Sequence, residues 1–223
     1  MLIVLADLLT LAVANAISPL AIVAVILMAT SGKGRTNGTA FILGSFTFAV
    51  ALVGGIVLFG RSAGAEDVDS APHITIDVIE LVLGVAMIVL GILQWRKRSS
   101  HETPKWMDSI DGMNIWMAFL LGMLLAGPLS PKDLPLLIAA GGRISQASLA
   151  TAEAVAVIVI FAALGLVAIA IPWILSVVAP GKVEQSLSGP RTWLVSNHSV
   201  IMTVLFVILG TKLIGSAVTD LLG

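Results

Sequence analysis

Five charged side chains stand within or beside long apolar runs: Glu80, Lys132, Asp133, Glu153 and Lys212. A charge at the centre of a bilayer costs about 2.5–3.5 kcal/mol on insertion scales, so each must have a partner or a task. An ammonium group can hold an anion; a carboxylate can pair with it or carry a proton. Lys132 and Asp133 directly follow Ser130-Pro131 and precede Pro135, and a second Ser-Pro, Ser18-Pro19, interrupts another apolar run. Proline cannot donate a backbone hydrogen bond and clashes with the preceding turn, so a helix breaks before it. Serine is a good N-cap and proline is favoured at the first helical position, so each Ser-Pro predicts the start of a new half-helix inside the membrane. Such an N-terminus carries unpaired N–H groups and partial positive charge, which suit an anion. The candidate substrate-binding residues are therefore Ser18, Pro19, Ser130, Pro131, Lys132 and Lys212, with Asp133, Glu153 and Glu80 for charge pairing or proton coupling. Asp133 lies three residues after Ser130, a capping-box-like spacing, which leaves Lys132 as the free cation beside the half-helix. The plainer alternative is a pair of tolerated proline kinks, with Lys212 and Glu80 snorkelling to the interface.

The elements that must position these groups follow from composition. Of 223 residues, 58% are hydrophobic, 11% are charged and none is Cys; mean hydropathy is +1.06. A soluble domain carries about 25% charged residues. Charge-free runs at 8–32, 36–60, 81–95, 112–131, 154–181 and 192–211 compare with the ~20 residues a spanning helix needs. They lack the alternation of barrel strands. The spacing predicts an all-α integral membrane protein, a single membrane domain over 1–223, with helices at 2–30, 37–60, 73–95, 114–141, 146–178 and 196–220. Ala14-Asn15-Ala16 looks like a signal-peptidase site, but no basic segment precedes it and the apolar run continues, so a retained first helix is expected. A net charge of −1 without a basic tract argues against nucleic-acid binding. The absence of Cys rules out disulfides and thiol redox chemistry. His73, His101 and His198 lack metal-ligand spacing, and no HExxH, GxSxG or P-loop occurs, so neither an enzyme nor a cofactor is expected.

Orientation follows from the loops. Lys33, Arg35, Arg96, Lys97, Arg98, Lys105, Lys182 and Arg191 fall on one side; only Arg61 and Arg143 fall on the other. The basic side is expected in the cytoplasm, with both termini outside. This topology places all five intramembrane charges on the outer side of mid-depth, predicting a polar cavity open outwards and closed by apolar packing inwards. The halves also echo one another. Ala14-Asn15-Ala16-Ile17-Ser18-Pro19 matches Ala126-Gly127-Pro128-Leu129-Ser130-Pro131, and Gly34-Arg35 matches Gly142-Arg143. Val82-Leu83-Gly84 with Ile88 matches Ile208-Leu209-Gly210 with Ile214. Three helices per half invert the second copy, so residues 1–95 and 114–223, joined by a cytoplasmic linker 96–113, predict an inverted 3+3 repeat with helices one and four broken at Ser-Pro.

Ile17-Ser18-Pro19, followed by Ile26-Leu27-Met28-Ala29-Thr30-Ser31-Gly32-Lys33-Gly34-Arg35-Thr36-Asn37-Gly38-Thr39-Ala40-Phe41, resembles the opening of the GAP family, the glycopeptidolipid- and sulfolipid-addressing proteins of the LysE exporter superfamily. Ser130-Pro131-Lys132-Asp133-Leu134 is similar to that superfamily's paired Pro-Lys motif, with Asp133 where Asn is common. The resemblance implies six helices, a LysE-like fold and a role in actinobacterial envelope physiology. Members are linked to moving complex glycolipids to the cell surface, while superfamily relatives export amino acids or ions. The expectation is a plasma-membrane transporter that aids outward movement of an envelope glycolipid or its anionic headgroup. The alternatives are a proton-coupled exporter of a small amino acid or metabolite, and a non-transporting scaffold of a lipid-export complex. The expected partner is a membrane lipid or small anion. Small residues on several helices permit a homodimer or association with an export complex.

Overall fold

The computed structural model describes residues 2–63, 71–96, 110, 112–130, 132–147, 149–179 and 182–222. Pro131, the acidic stretch 64–70 and most of the 96–113 linker lie outside them. The described residues form helices α1 (Leu2–Ala16), α2 (Pro19–Thr30), α3 (Gly34–Ala63), α4 (Ala71–Arg96), α5 (Ile115–Leu125), α6 (Asp133–Gln146), α7 (Thr151–Gly165), α8 (Val167–Val178) and α9 (Val183–Leu222), and no strand. The described residues are thus all-helical, and among them three helices are long and apolar enough to cross a membrane, or up to five if each bent pair is one span.

The first break falls where expected. α1 and α2 meet at 55°, with Ser18 in extended conformation at the N-cap of α2 and Pro19 opening the helix. The Ser18 N–H turns back to Ala16 O at 2.9 Å, and Pro19 has no N–H to give. The carbonyls of Ala14 and Asn15, which Ser18 and Pro19 would cap in a continuous helix, are therefore released from the α-helical pattern.

Two expectations need correction. The fifth predicted helix is broken too: α7 and α8 meet at 63° beside Gly165, whose Cα lies so close to the Asn15 side chain that any Cβ would collide with it. The two bends are packed against each other, which no local signal at 165–166 announced. The sixth helix begins at Val183, not 196, and its 40 residues extend about 60 Å, twice the hydrocarbon thickness. The fourth is interrupted, as the Ser-Pro reading expected, but over a longer stretch: the 11-residue apolar α5 is followed by irregular backbone from Ala126 and then α6. Pro128 adds a second interruption to Ser130-Pro131. Asn114 caps α5, its side chain accepting from Met117 N–H at 2.9 Å.

Two close crossings hold the bundle. α4 and α9 run antiparallel, and a Cβ on Gly84 would lie 2.8 Å from Ile214 Cγ1 while one on Gly210 would lie 2.9 Å from Ile88. Each glycine of the matched pair thus receives the isoleucine of the other. α3 and α5 approach through Gly44 against the Phe119 backbone and Gly122 against the Phe41 backbone. There Ser45 donates to Gly122 O at 3.0 Å.

Candidate functional site

Three polar features lie along one axis of the bundle. The innermost is a small cavity of about 50 Å³ lined by Ser18, Pro19, Ser130, Gln94 and His198 among apolar neighbours. The two Ser-Pro serines, 112 positions apart in sequence, therefore do face one space. The Gln94 amide donates to Ser199 Oγ at 3.3 Å, whereas His198 Nδ1 is buried and meets no partner among the described residues.

Beside this cavity lies a charged knot. Lys132 is fully buried, at 0% exposure. Its ammonium donates to Ala14 O at 3.1 Å, to Asn15 O at 3.3 Å and to Asp133 Oδ1. Those are the carbonyls the Ser18-Pro19 break set free, so the cation caps the C-terminal end of α1, where the helix dipole favours positive charge. The Ser18 hydroxyl donates to Asp133 Oδ2 at 3.1 Å. Asp133 itself opens α6, where a carboxylate is stabilised by the N-terminal dipole.

This geometry revises two readings. Lys132 is not a free cation: all three of its donors have partners. Ser130 and Asp133 do not form a capping box. Lys132 occupies the N-cap of α6, and the Asp133 carboxylate turns to Ser18 and Lys132. The anion gathered at the half-helix starts is the protein's own carboxylate.

The third feature is a larger cavity, about 370 Å³, lined by Asp7 and Thr10 of α1, Glu80 of α4, Arg143 of α6, and Lys212 and Ser216 of α9. Glu80, 1% exposed, accepts a two-pronged pair from Arg143, Nε to Oε1 at 2.9 Å and Nη2 to Oε2 at 2.7 Å. Arg143 also reaches Ser216 Oγ. Lys212 is half-buried and lines the same cavity opposite Asp7. Glu153 belongs to neither cavity. It is exposed at the start of α7, where its carboxylate accepts from Ala150 N–H at 3.3 Å.

The two cavities share their walls. On α1, Asp7, Leu11 and Ala14 form one helical stripe that ends at the break before Ser18; on α4, Glu80, Met87 and Gln94 do so at heptad spacing; on α9, His198, Met202, Phe206, Leu209, Leu213 and Ser216 do so. Between the cavities these helices and α6 present Met87, Leu136, Leu137, Phe206 and Leu209, each 2% exposed or less and all within one apolar cluster. Polar compartments at either end are separated by a tightly packed apolar plug.

Arg143, Asp7, His198 and Gln94 were missed as site residues. Arg143 was read as a loop cation, although it stands 11 positions after Lys132, the spacing of one helical face. The family model described as Sap, sulfolipid-1-addressing protein, matches residues 8–219. The chain belongs to this family. Membership implies involvement in sulfolipid addressing by this Sap-family protein. No curated protein and no solved structure matches the chain.

Proposed function

We propose that this Sap-family protein is a plasma-membrane transporter that aids outward movement of an envelope glycolipid, its anionic headgroup engaging the 370 Å³ cavity. The observation that carries the reading is Lys212 in a cavity of balanced charge: Arg143 is committed to Glu80, while Lys212 is half-buried and presents an ammonium group in the same space as Asp7. In the orientation set by the loop cations, this cavity faces outwards, with both termini outside, and the plug closes it from the cytoplasm.

The fold reading that goes with it is six membrane crossings in a LysE-like inverted repeat. Its support is the reciprocal Gly84–Ile214 and Gly210–Ile88 packing of two antiparallel helices, the relation a two-fold axis in the membrane plane would impose. The broken α5–α6 stretch serves as the fourth crossing, irregular backbone at membrane depth being tolerated where protein covers it or a cavity adjoins it. The second half departs from the first in its α7–α8 bend.

One further feature favours a lipid over a small solute. An apolar groove of about 310 Å³ runs between α3 and α5, lined by Thr36, Thr39, Ala40, Leu43, Ile115, Trp116 and Phe119. Trp116 is 73% exposed there. In the orientation proposed here the groove lies near the cytoplasmic ends of both helices, within reach of an acyl chain of the inner leaflet. A sealed amino-acid pocket has no use for such a groove.

The test is surface-lipid analysis of a deletion strain complemented with Lys212→Gln or Asp7→Asn. A lost charge-assisted hydrogen bond weakens headgroup binding by about tenfold or more. Lys212→Gln should therefore cut surface lipid at unchanged protein abundance. Wild-type lipid display by both variants would refute headgroup capture in this cavity and favour the scaffold reading.

A further inference from the structure

We propose that the α3–α5 groove and the two cations at its end form a binding site for an anionic lipid of the inner leaflet, with an acyl chain in the groove and the acidic headgroup on Arg35 and Lys33. The inference rests on the lipid reading of the groove and on the orientation set by the loop cations, and it adds headgroup contacts to that reading.

The argument begins with Arg35. The matched motifs Gly34-Arg35 and Gly142-Arg143 differ in what they meet. Arg143 is clamped on Glu80. In the register that pairs Gly84 with Gly210, the position matching Glu80 is Phe206, so the second half offers Arg35 no carboxylate there. The Arg35 side chain is exposed and has no hydrogen bond or ion pair among the described residues, and the same holds for Lys33. No Asp or Glu occurs between Asp7 and Glu66, nor in α5 or α8. The helices around this end therefore carry nothing that neutralises the pair.

Exposed cations are common in water; what sets these two apart is their setting. Both stand where α3 begins. The N–H groups of Arg35 and Thr36 have no acceptor among the described residues, and the helix start adds partial positive charge of the same sign. Arg35 directly precedes Thr36 and lies one turn before Thr39, and both threonines line the groove. Helical side chains lean towards the N-terminus, which carries the Arg35 stem past the end of the groove.

The two threonines differ in a telling way. The Thr39 hydroxyl donates to Arg35 O at 2.7 Å and accepts from Trp173 Nε1 at 3.0 Å. The Thr36 hydroxyl has no partner among the described residues, so it is left to donate to a headgroup oxygen. Further along, the lining is Ala40, Leu43, Ile115 and Phe119, with Trp116 standing exposed. The site thus runs from cations through a free hydroxyl to hydrocarbon, the order of groups along a lipid molecule. Tryptophan is favoured at headgroup depth. Trp116 in the groove and Trp173 against Gly38 mark that depth at this end of α3.

Native mass spectrometry of the purified protein in detergent tests the site, with phosphatidylglycerol and phosphatidylcholine of identical acyl chains added in equal amounts. Two basic side chains at a membrane surface favour the anionic lipid by about tenfold or more, and the wild type should retain phosphatidylglycerol in that excess. Lys33→Gln/Arg35→Gln should bring the two lipids to parity, while Lys33→Arg/Arg35→Lys should keep the preference. Leu43→Trp fills the groove and should lose both lipids. Leu43, Lys33 and Arg35 are exposed, so these substitutions leave the packed core alone. Equal retention of both lipids by the wild type, or unchanged retention in Leu43→Trp, would overturn the proposal together with the lipid reading of the groove. Lipid loss in Leu43→Trp beside a preference that survives Lys33→Gln/Arg35→Gln would overturn the headgroup contacts and leave the groove reading standing. Lys212→Gln should not change retention, so this site and headgroup capture in the outer cavity fail or stand separately.

Discussion

Replacing Lys132 with Met keeps the length and apolar stem of the side chain while removing its three donors. Three acceptors lose their partner at once: Asp133 Oδ1 and the carbonyls of Ala14 and Asn15. Breaking one side of a buried ion pair costs about 3–5 kcal/mol, because the remaining charge has neither water nor counter-ion. For a chain of this length about 1 kcal/mol corresponds to 2–4 °C, so Lys132→Met should lower the melting temperature by about 6–20 °C. The double variant Lys132→Met/Asp133→Leu removes the orphaned charge too and should regain most of the loss. A deficit of about 1–3 kcal/mol should remain from the unpaired carbonyls. Heating followed by fluorescence-detected size exclusion measures all three proteins. A Lys132→Met shift below about 2 °C, or a double variant no more stable than the single, would refute the account of the knot. Since Lys132 is structural in this account, loss of function in Lys132→Ala says nothing about substrate binding, which is why Lys212 carries the functional test.

Arg143→Met strands the buried Glu80 carboxylate and should destabilise by about 3 kcal/mol, the low end for a buried pair because the arginine is partly exposed. Adding Glu80→Gln should recover part of it in the same melting assay. Gly84→Ala places a methyl 2.8 Å from Ile214 Cγ1 and 3.0 Å from Gly210 O. It should cost about 1–3 kcal/mol by overpacking, and Ile214→Val should relieve it. Equal stability of Gly84→Ala and wild type would mean that α4 and α9 do not cross there.

Much of the frame was legible in the chain because its signals are local. A run of apolar residues needs no partner to declare itself helical in lipid, and Ser18-Pro19 breaks α1 from α2 through the chemistry of proline alone. The charges of Lys132 and Asp133 likewise announced that something polar lay at depth. Their roles were not legible, because a role depends on which atoms arrive from elsewhere. Lys132 looked free until the released carbonyls of Ala14 and Asn15, 118 and 117 residues away, were seen to take its protons.

The same division explains the remaining differences. The α7–α8 bend depends on Asn15 packing against Gly165, a contact between distant segments with no signature in either. Glu80 and Arg143 were each visible, but their pairing across 63 residues required α4 and α6 to be side by side. Composition and proline placement determined on their own that this is a helical membrane protein with interrupted segments, since solvation and backbone hydrogen bonding act residue by residue. Which charges neutralise one another and which line a cavity was decided only by the packing. Coulomb attraction and desolvation depend on distance in space, which the order of residues leaves open.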